Sequence, residues 1–254
     1  MPHQSSPKNG DYFTKNQGNA IVIILVMIAL IAALTSVAMR TSSRNSNMDG
    51  ETARIQAENI MRQAKNLESG IIKLTTVNRC SENEISFENT ITTRSYTNAS
   101  APTNKRCHVY DLAGSGQSYT AVNEAVLDGS KNTRSDYGEW VFTGTHCVLE
   151  IGSNDDATCI DSELALVSII PHINLQTCLA INNLNGITNP SGLPPIEVYD
   201  ETATEFIGSF ATSTDPEIGE LTGTELIGHT TGCFENSSGS WSDSYIFYHV
   251  LLAR

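Results

Sequence analysis

The feature that most constrains the fold is an unbroken apolar run near the start of the chain. It extends from Ala20 to Met39 and contains no charged residue, glycine or proline. An apolar helix of about 20 residues is long enough to cross the hydrocarbon of a bilayer. The run therefore predicts a transmembrane or filament-core helix over residues 19–39.

Behind this run the apolar residues become periodic instead of continuous. Beyond Arg40 they recur at alternating intervals of four and three positions, the spacing of one face of a helix. The residues on that face are Ala53, Ala57, Ile60, Ala64, Leu67, Ile71 and Leu74. The helix is predicted to continue over residues 40–78 as an amphipathic assembly helix. Its apolar face can pack on other subunits, on the protein's own globular part, or on both.

The residues before the run have the composition of a leader. Residues 1–18 are polar and end in Gly18, directly before the apolar stretch. Two processing routes fit this arrangement. A secretory signal would be cleaved after the small-x-small triplet 36–38. A prepilin-type leader would be cleaved after Gly18 and would leave Asn19 as the first residue.

This layout resembles that of the type IV pilins and of the pseudopilins of type II secretion. The resemblance covers residues 8–77 and lies in the order of leader, glycine, apolar helix and amphipathic continuation. It implies a pilin-like α+β fold, in which a long N-terminal helix, membrane-spanning and then amphipathic, packs on a predominantly antiparallel β head. The implied head comprises residues 79–254.

The same resemblance implies a function and a set of partners. The chain is expected to be a non-enzymatic minor pilin or pseudopilin that is cleaved by prepilin peptidase and methylated at its new N terminus. A single pass would hold it in the inner membrane, with its head in the periplasm or, in an assembled filament, outside the cell. Other pilin-like subunits would bind its N-terminal helix.

Two positions depart from the family's common pattern. Ile23 is the fifth residue of a chain that starts at Asn19, where most family members have a glutamate. Asn19 itself stands where a large apolar residue is usual. The resemblance implies that this glutamate neutralises the N-terminal amine of a neighbouring subunit, because an unpaired buried charge is costly. A subunit at the filament tip has no neighbour ahead of it, so Ile23 favours a minor or tip-like subunit.

The head region reads as one α+β domain of short strands between turns. Segments 140–143 and 147–151 are predicted to form a hairpin through Gly144. Asn174 is predicted to cap a short helix over residues 175–184, which Gly186 ends. The other predicted strands are 84–87, 107–110, the continuous apolar run 164–170, 205–211, 225–228 and 245–252.

Six cysteines lie in the head, and their even number predicts disulfides in an oxidising compartment. A metal site is the alternative, but no pair has CxxC spacing. Six cysteines permit fifteen connectivities. Sequence proximity favours the pairs Cys80–Cys107, Cys147–Cys159 and Cys178–Cys233.

Charge and motifs argue against several other functions. The net charge of −13 makes nucleic acid an unlikely partner. The glycine-containing segment 114–119 lacks the third glycine and the Lys-Ser/Thr ending of a phosphate loop, and no nucleophile elbow or zinc-binding helix motif occurs. The sequence thus predicts neither an enzyme nor a cofactor.

Two further groups of residues could form binding sites or could have only a structural role. Acidic side chains in two loops could gather calcium, although solvated surface charge is favoured and no metal ligand is predicted. Aromatic residues could form an exposed platform for a glycan or a protein, although core packing is favoured. The acidic residues are Asp155, Asp156 and Asp161, or Asp215, Glu217 and Glu220, and the aromatic residues are Trp140, Trp241, Tyr245 and Tyr248.

Two alternative functions stay open. One is a signal-anchored or secreted extracytoplasmic binding or adhesion protein that forms no filament. The other is an extracytoplasmic hydrolase with an unfamiliar site, because sequence alone does not exclude one.

Overall fold

The computed structural model describes residues 17–153, 159–199, 205–211, 217–219, 224–239 and 241–254, without the side chains of 17–21 and 32–49. The chain divides into two compact units, Met1–Met48 and Asp49–Arg254. Most of the predicted leader, residues 1–16, lies outside the described residues.

Helix α1 extends from Gln17 to Thr76. In the first unit its described side chains, Val22–Ile31, are all exposed. In the second unit its apolar face is buried in a core that also contains Leu166 and Ile170 of the sheet. The helix ends at Thr76, and the left-handed residue Arg79, with a φ of 56°, then turns the chain toward Cys80.

Within the described part of the chain, none of the helices combines the length and the hydrophobicity that a bilayer-crossing segment needs. This finding contradicts the predicted membrane-spanning helix and the predicted single-pass location in the inner membrane.

The second unit is built on one six-stranded sheet with the order β3-β5-β6-β2-β1-β4. Its central pairings, β5–β6, β6–β2 and β2–β1, are antiparallel, whereas β3–β5 and β1–β4 are parallel. The strands are β1 (Val141–Val148), β2 (Ala165–Ile173), β3 (Ile196–Glu197), β4 (Glu217–Ile218), β5 (Thr231–Asn236) and β6 (Ser244–Leu252).

The two edges of this sheet approach each other. Glu197 of β3 accepts a hydrogen bond from the backbone N–H of Gly219, which follows β4, at 3.0 Å. The sheet is therefore mixed and nearly closed. The predicted fold class is wrong on two points. The described residues contain no membrane-spanning helix, and the sheet is mixed instead of predominantly antiparallel. The edge strands are only two residues long, too short to leave a periodic pattern in the sequence.

Both faces of the sheet are buried. Along β2, Leu166 and Ile170 belong to the core shared with α1, whereas Val167 and Ile169 belong to a second core on the opposite face. The second core also contains Trp241. A strand that is buried on both faces is apolar at successive positions. The predicted buried strand over residues 164–170 is confirmed as β2.

The predicted hairpin is wrong, because residues 141–148 form one continuous strand. Gly144 lies inside it, and a Cβ there would stand 2.9 Å from the rings of both Phe206 and Phe210. Close packing of these rings, not a turn, explains this glycine. The register of β1 against β2 shifts between Thr143 and His146, as expected for a bulge.

Other local predictions have mixed outcomes. The capped helix is confirmed as α2 (Leu175–Asn185): the Asn174 side chain accepts from the Thr177 N–H, and Gly186 ends the helix with a φ of 73°. Strand 245–252 is confirmed as β6. Segments 84–87 and 107–110 form only an isolated bridge, Ser86 to His108. Segment 205–211 is irregular. Residues 224–226, which overlap the predicted strand 225–228, form a 3-10 helix, so both of these predicted strands are wrong.

The three disulfides join the pairs favoured by sequence proximity. Cys80–Cys107 fastens the chain just after α1 to the segment around residue 107, and Cys147–Cys159 fastens the end of β1. Cys178–Cys233 links α2 to β5 across 55 residues. The predicted connectivity is confirmed.

Removal of the disulfide that closes the longest loop, Cys178–Cys233, is expected to lower the free energy of unfolding the most. In the chain-entropy account, the Cys178–Cys233 bond stabilises by about 4 kcal/mol and the Cys147–Cys159 bond by about 3 kcal/mol. Paired serine substitutions, C178S/C233S and C147S/C159S, should lower the free energy of urea unfolding in that order. Equal losses, or the reverse order, would contradict the assignment of stability to loop length.

Candidate functional site

The first candidate site is the apolar segment of α1 in the first unit, residues Val22–Ile31. Its large side chains are 52–61 % exposed, and they point in every direction around the helix. A helix that is apolar all round is normally covered by other structure. Large exposed apolar surfaces mark interaction sites. Ile23 belongs to this segment, and the backbones of Gly18 and Asn19 lie in the first turn of α1.

The predicted assembly face further along α1 has a different environment. All seven of its residues are buried within the second unit, and six of them belong to the core shared with the sheet. Of the arrangements that the periodicity left open, packing on the protein's own globular part is therefore the one observed. An additional role of this face in assembly stays a prediction. The residues are Ala53, Ala57, Ile60, Ala64, Leu67, Ile71 and Leu74.

A buried histidine connects this part of α1 to the sheet. His249 of β6 lies with its Nε2 3.0 Å from Glu68 Oε2, and its Nδ1 shares a hydrogen bond with the Thr231 hydroxyl. Lys65 donates to the same Glu68 oxygen at 2.8 Å. The line Thr231–His249–Glu68–Lys65 thus joins β5, β6 and α1.

Burial and neighbouring charges determine the protonation states of His249 and Glu68. Burial lowers the pKa of His249 to about 4, and the nearby Lys65 ammonium acts in the same direction. Burial opposes ionisation of Glu68, but hydrogen bonding and charge from Lys65 and His249 outweigh it and lower the Glu68 pKa. At neutral pH a neutral imidazole therefore donates from Nε2 to an ionised carboxylate and accepts from Thr231 at Nδ1.

A second buried cluster combines a hydroxyl, an imidazole and a carboxylate. Ser244 Oγ lies 3.0 Å from His172 Nδ1, and Asp136 Oδ1 lies 3.2 Å from His172 Nε2. The indole N–H of Trp241 donates to the other Asp136 oxygen. Burial opposes ionisation of Asp136, but the hydrogen bonds that its carboxylate makes with His172 and Trp241 outweigh this effect, and the pKa of Asp136 is lowered.

This second cluster has the residue types of a hydrolytic triad but not its accessibility. Ser244, His172 and Asp136 are all buried. His172 has a φ of 61°, and Asp243, next to Ser244, has a φ of 56°. Such left-handed backbone persists where surrounding contacts hold it. The cluster fixes β2, β6 and the loop containing Asp136 to one another, and its hydroxyl is not presented to a substrate.

The other residues singled out in the sequence are placed as follows. Among the described residues, no group of three or more metal-ligating side chains could hold an ion. Asp161 is exposed and Glu217 is buried in β4, whereas Asp155, Asp156, Asp215 and Glu220 lie outside the described residues. Trp140, Trp241 and Tyr248 are buried and Tyr245 is partly buried, so core packing is the correct interpretation of these aromatics.

Comparison with known proteins gives no match: no protein-family model, no curated protein and no solved structure is similar to this chain. The resemblance to pilins therefore rests on the sequence layout alone.

Neither buried histidine cluster was predicted from the sequence. His249 is the one strongly polar residue within an otherwise aromatic and aliphatic strand, and that contrast was the available signal for a buried polar partner. Its partner Glu68 occurs on the helix without any distinguishing pattern.

The His249 link predicts acid-induced destabilisation. Below about pH 6.5 the unfolded chain takes up a proton at His249, but the native protein does not until about pH 4. Stability is therefore present above pH 6.5 and is lost as the pH falls toward 4, by about 3 kcal/mol for this residue. The substitution His249→Gln should remove this part of the pH dependence of urea unfolding.

The matched control for this measurement is His229→Gln. His229 is a partly exposed residue of the turn before β5. The control should keep the wild-type dependence on pH between 7 and 4. An unchanged dependence in His249→Gln would contradict the assignment.

Proposed function

We propose that the protein is a non-enzymatic, pilin-like structural subunit, a minor pilin or pseudopilin, that assembles with other pilin-like subunits through its N-terminal helix. The observation that carries the proposal is the exposed apolar segment Val22–Ile31 of α1. Its position directly after the Gly18 junction supports the proposal, because prepilin processing would leave this segment at the new N terminus.

The all-round exposure of the segment favours several neighbours over one. Fully burying a large aliphatic side chain contributes about 1.5–3 kcal/mol, so completing the burial of these half-exposed side chains contributes on the order of 10 kcal/mol in total. Association costs a similar amount, roughly 4–15 kcal/mol. A single partner covers only one side of the helix and gains part of that energy. A bundle of helices around the segment gains nearly all of it.

The globular unit suits a mechanical role. Its three disulfides, the apolar face of α1 packed on the sheet, and the two buried histidine clusters restrain it from several directions. Ile23 supports the choice of a minor subunit, because the segment carries no carboxylate to neutralise the amine of a neighbour.

A second candidate function is an extracytoplasmic binding or adhesion protein without filament assembly. The burial of residues 53–74 of α1 within the protein's own globular unit favours it, because that face then needs no partner. The two functions differ in what contacts residues 22–31.

Site-specific photo-cross-linking distinguishes them. The cross-linking amino acid p-benzoylphenylalanine would replace Ile24, Leu25 or Val26, one at a time, in the full chain in its native cells. Successive residues point about 100° apart around a helix, so these positions sample three sides. All three should give covalent adducts with other pilin-like subunits or with second copies of the chain.

Position Ile207 is the control, since it is comparably exposed but lies in the globular unit. It should give no such adduct. Absence of protein adducts from all three helix positions, or adducts from one side only, would contradict the proposed assembly.

A further inference from the structure

A groove on the globular unit, outside the proposed assembly segment, is formed around the buried side chain of His108. Its volume is about 420 Å³, large enough to admit a long side chain or a small ligand. Residues from three stretches of the chain line it, 88–91, 105–112 and 116–119. We call this cavity the His108 groove.

Backbone pairing sets two of these stretches side by side. The Ser86 N–H donates to the carbonyl of Cys107 at 3.1 Å, and the Val109 N–H donates to the carbonyl of Ser86 at 2.9 Å. Glu88 and His108 are thereby placed next to each other, with 3.8 Å between Glu88 Oε2 and His108 Nδ1. The disulfide from Cys107 to the chain just after α1 anchors this pairing.

The third stretch is held by a loop that folds back onto His108. The Ser115 N–H donates to the carbonyl of His108 at 3.0 Å, and the Gln117 N–H donates to the carbonyl of Val109 at 3.3 Å. Gly114 permits this approach, because a Cβ there would collide with the His108 carbonyl oxygen. The groove is therefore preformed, which avoids part of the ordering cost of binding.

His108 lines the groove without a hydrogen-bond partner. The residue is only 6 % exposed. The 3.8 Å separation from Glu88 is too long for a hydrogen bond, and neither ring nitrogen makes one to any described residue. Burial lowers the pKa of His108, and the neighbouring Glu88 only partly opposes this, so the imidazole is neutral at pH 7. A neutral imidazole leaves one ring nitrogen as an acceptor.

The charges around this imidazole favour a cationic ligand. Glu88 and Asp111 both line the groove, and they face one cation, Lys105, whose Nζ lies 3.7 Å from the Asp111 carboxylate. This ion pair is largely exposed and therefore weak, so another cation can compete with it. The whole domain adds to the attraction, because residues 80–254 contain 23 Asp or Glu residues but only six Lys or Arg residues.

The shape of this acceptor set suits an extended cation. Among the described residues, no three metal-ligating side chains converge closely enough to hold a metal ion. A guanidinium instead spreads its N–H donors over a planar fork and can reach acceptors that stand apart. The half-buried rings of Tyr110 and Tyr119 also line the groove, and aromatic rings attract a guanidinium.

Two exposed apolar side chains border the same groove. Ile91 is 63 % exposed and Leu112 is 92 % exposed, and both belong to its lining. Large exposed apolar side chains beside a binding groove are typical of a protein interaction site. A free polyamine would leave them uncovered, whereas the apolar neighbours of an arginine in a peptide would cover them.

We propose that the His108 groove binds an arginine side chain that is flanked by apolar residues, on an exposed segment of a partner protein. The guanidinium donates hydrogen bonds to the carboxylates of Glu88 and Asp111 and to the free imidazole nitrogen. The flanking residues cover Ile91 and Leu112. This recognition role does not depend on the proposed assembly through residues 22–31.

The test is calorimetric titration of the full chain in detergent micelles with three probes. These are acetyl-Leu-Arg-Leu-amide, the same peptide with citrulline in place of arginine, and spermidine. Citrulline keeps the shape of arginine and removes its charge, so its peptide should bind at least about tenfold more weakly. Spermidine should also bind more weakly than the arginine peptide, because it gains no apolar contacts.

Three variants locate the binding. Glu88→Gln should weaken binding of the arginine peptide at least about fivefold, because a charge-assisted hydrogen bond is lost. Lys105→Gln should strengthen it about twofold or more, because the competing cation is removed. Such a gain does not arise from misfolding. Glu124→Gln is the matched control, since it removes an equal charge from an exposed position outside the groove, and it should leave binding unchanged.

Several results would overturn the proposal. They are no binding of the arginine peptide at millimolar concentration, equal binding of the arginine and citrulline peptides, and equal or tighter binding of spermidine. Equal effects of Glu88→Gln and Glu124→Gln would show that only the general negative charge of the domain attracts the peptide, and would overturn it as well.

Discussion

The burial of one apolar face of α1 against the sheet is the interaction on which the globular unit depends. Three of the seven residues on that face, Ala53, Ala57 and Ala64, are alanines, and small side chains let the helix backbone approach its neighbours closely. The larger residues Ile60, Leu67, Ile71 and Leu74 fill the space between. The same core contains Leu166, Ile170 and Phe247 of the two central strands. Loss of this contact would expose both the helix and one face of the sheet.

Polar groups inside this packing determine how the elements fit together. An apolar face alone permits small shifts of a helix over a sheet, whereas the hydrogen bond from His249 to Glu68 permits one position. The Asp136–His172–Ser244 cluster acts in the same way on the other side of β2, where left-handed backbone at His172 has to be held. Both clusters are directional restraints added to a non-directional apolar core.

The sequence allowed prediction of those elements that have a long period or a clear end signal. The apolar face of α1, the buried run of β2, the capped helix α2 and the strand β6 all belong to this group. The disulfide pairs were predictable because each joined cysteines that are neighbours in sequence order. Gly144 was misread as a turn, since the rings that exclude a side chain there come from residues 206 and 210.

The functional residues also differ in whether a sequence pattern reveals them. The apolar segment 22–31 is contiguous and could be recognised from the sequence. The link between Glu68 and His249 could not, because these two residues meet only after α1 has packed on the sheet. Single polar residues on a helix face or in a strand carry no sign of such a contact.

The most direct test of the central claim, that residues 22–31 are the assembly surface of a processed pilin-like subunit, is the intact mass and N-terminal sequence of the protein recovered from its native cells. The account predicts a chain that begins at Asn19, immediately before the apolar segment. A chain that begins at Met39 would have lost the proposed surface altogether. That result, or an unprocessed Met1, would contradict the account.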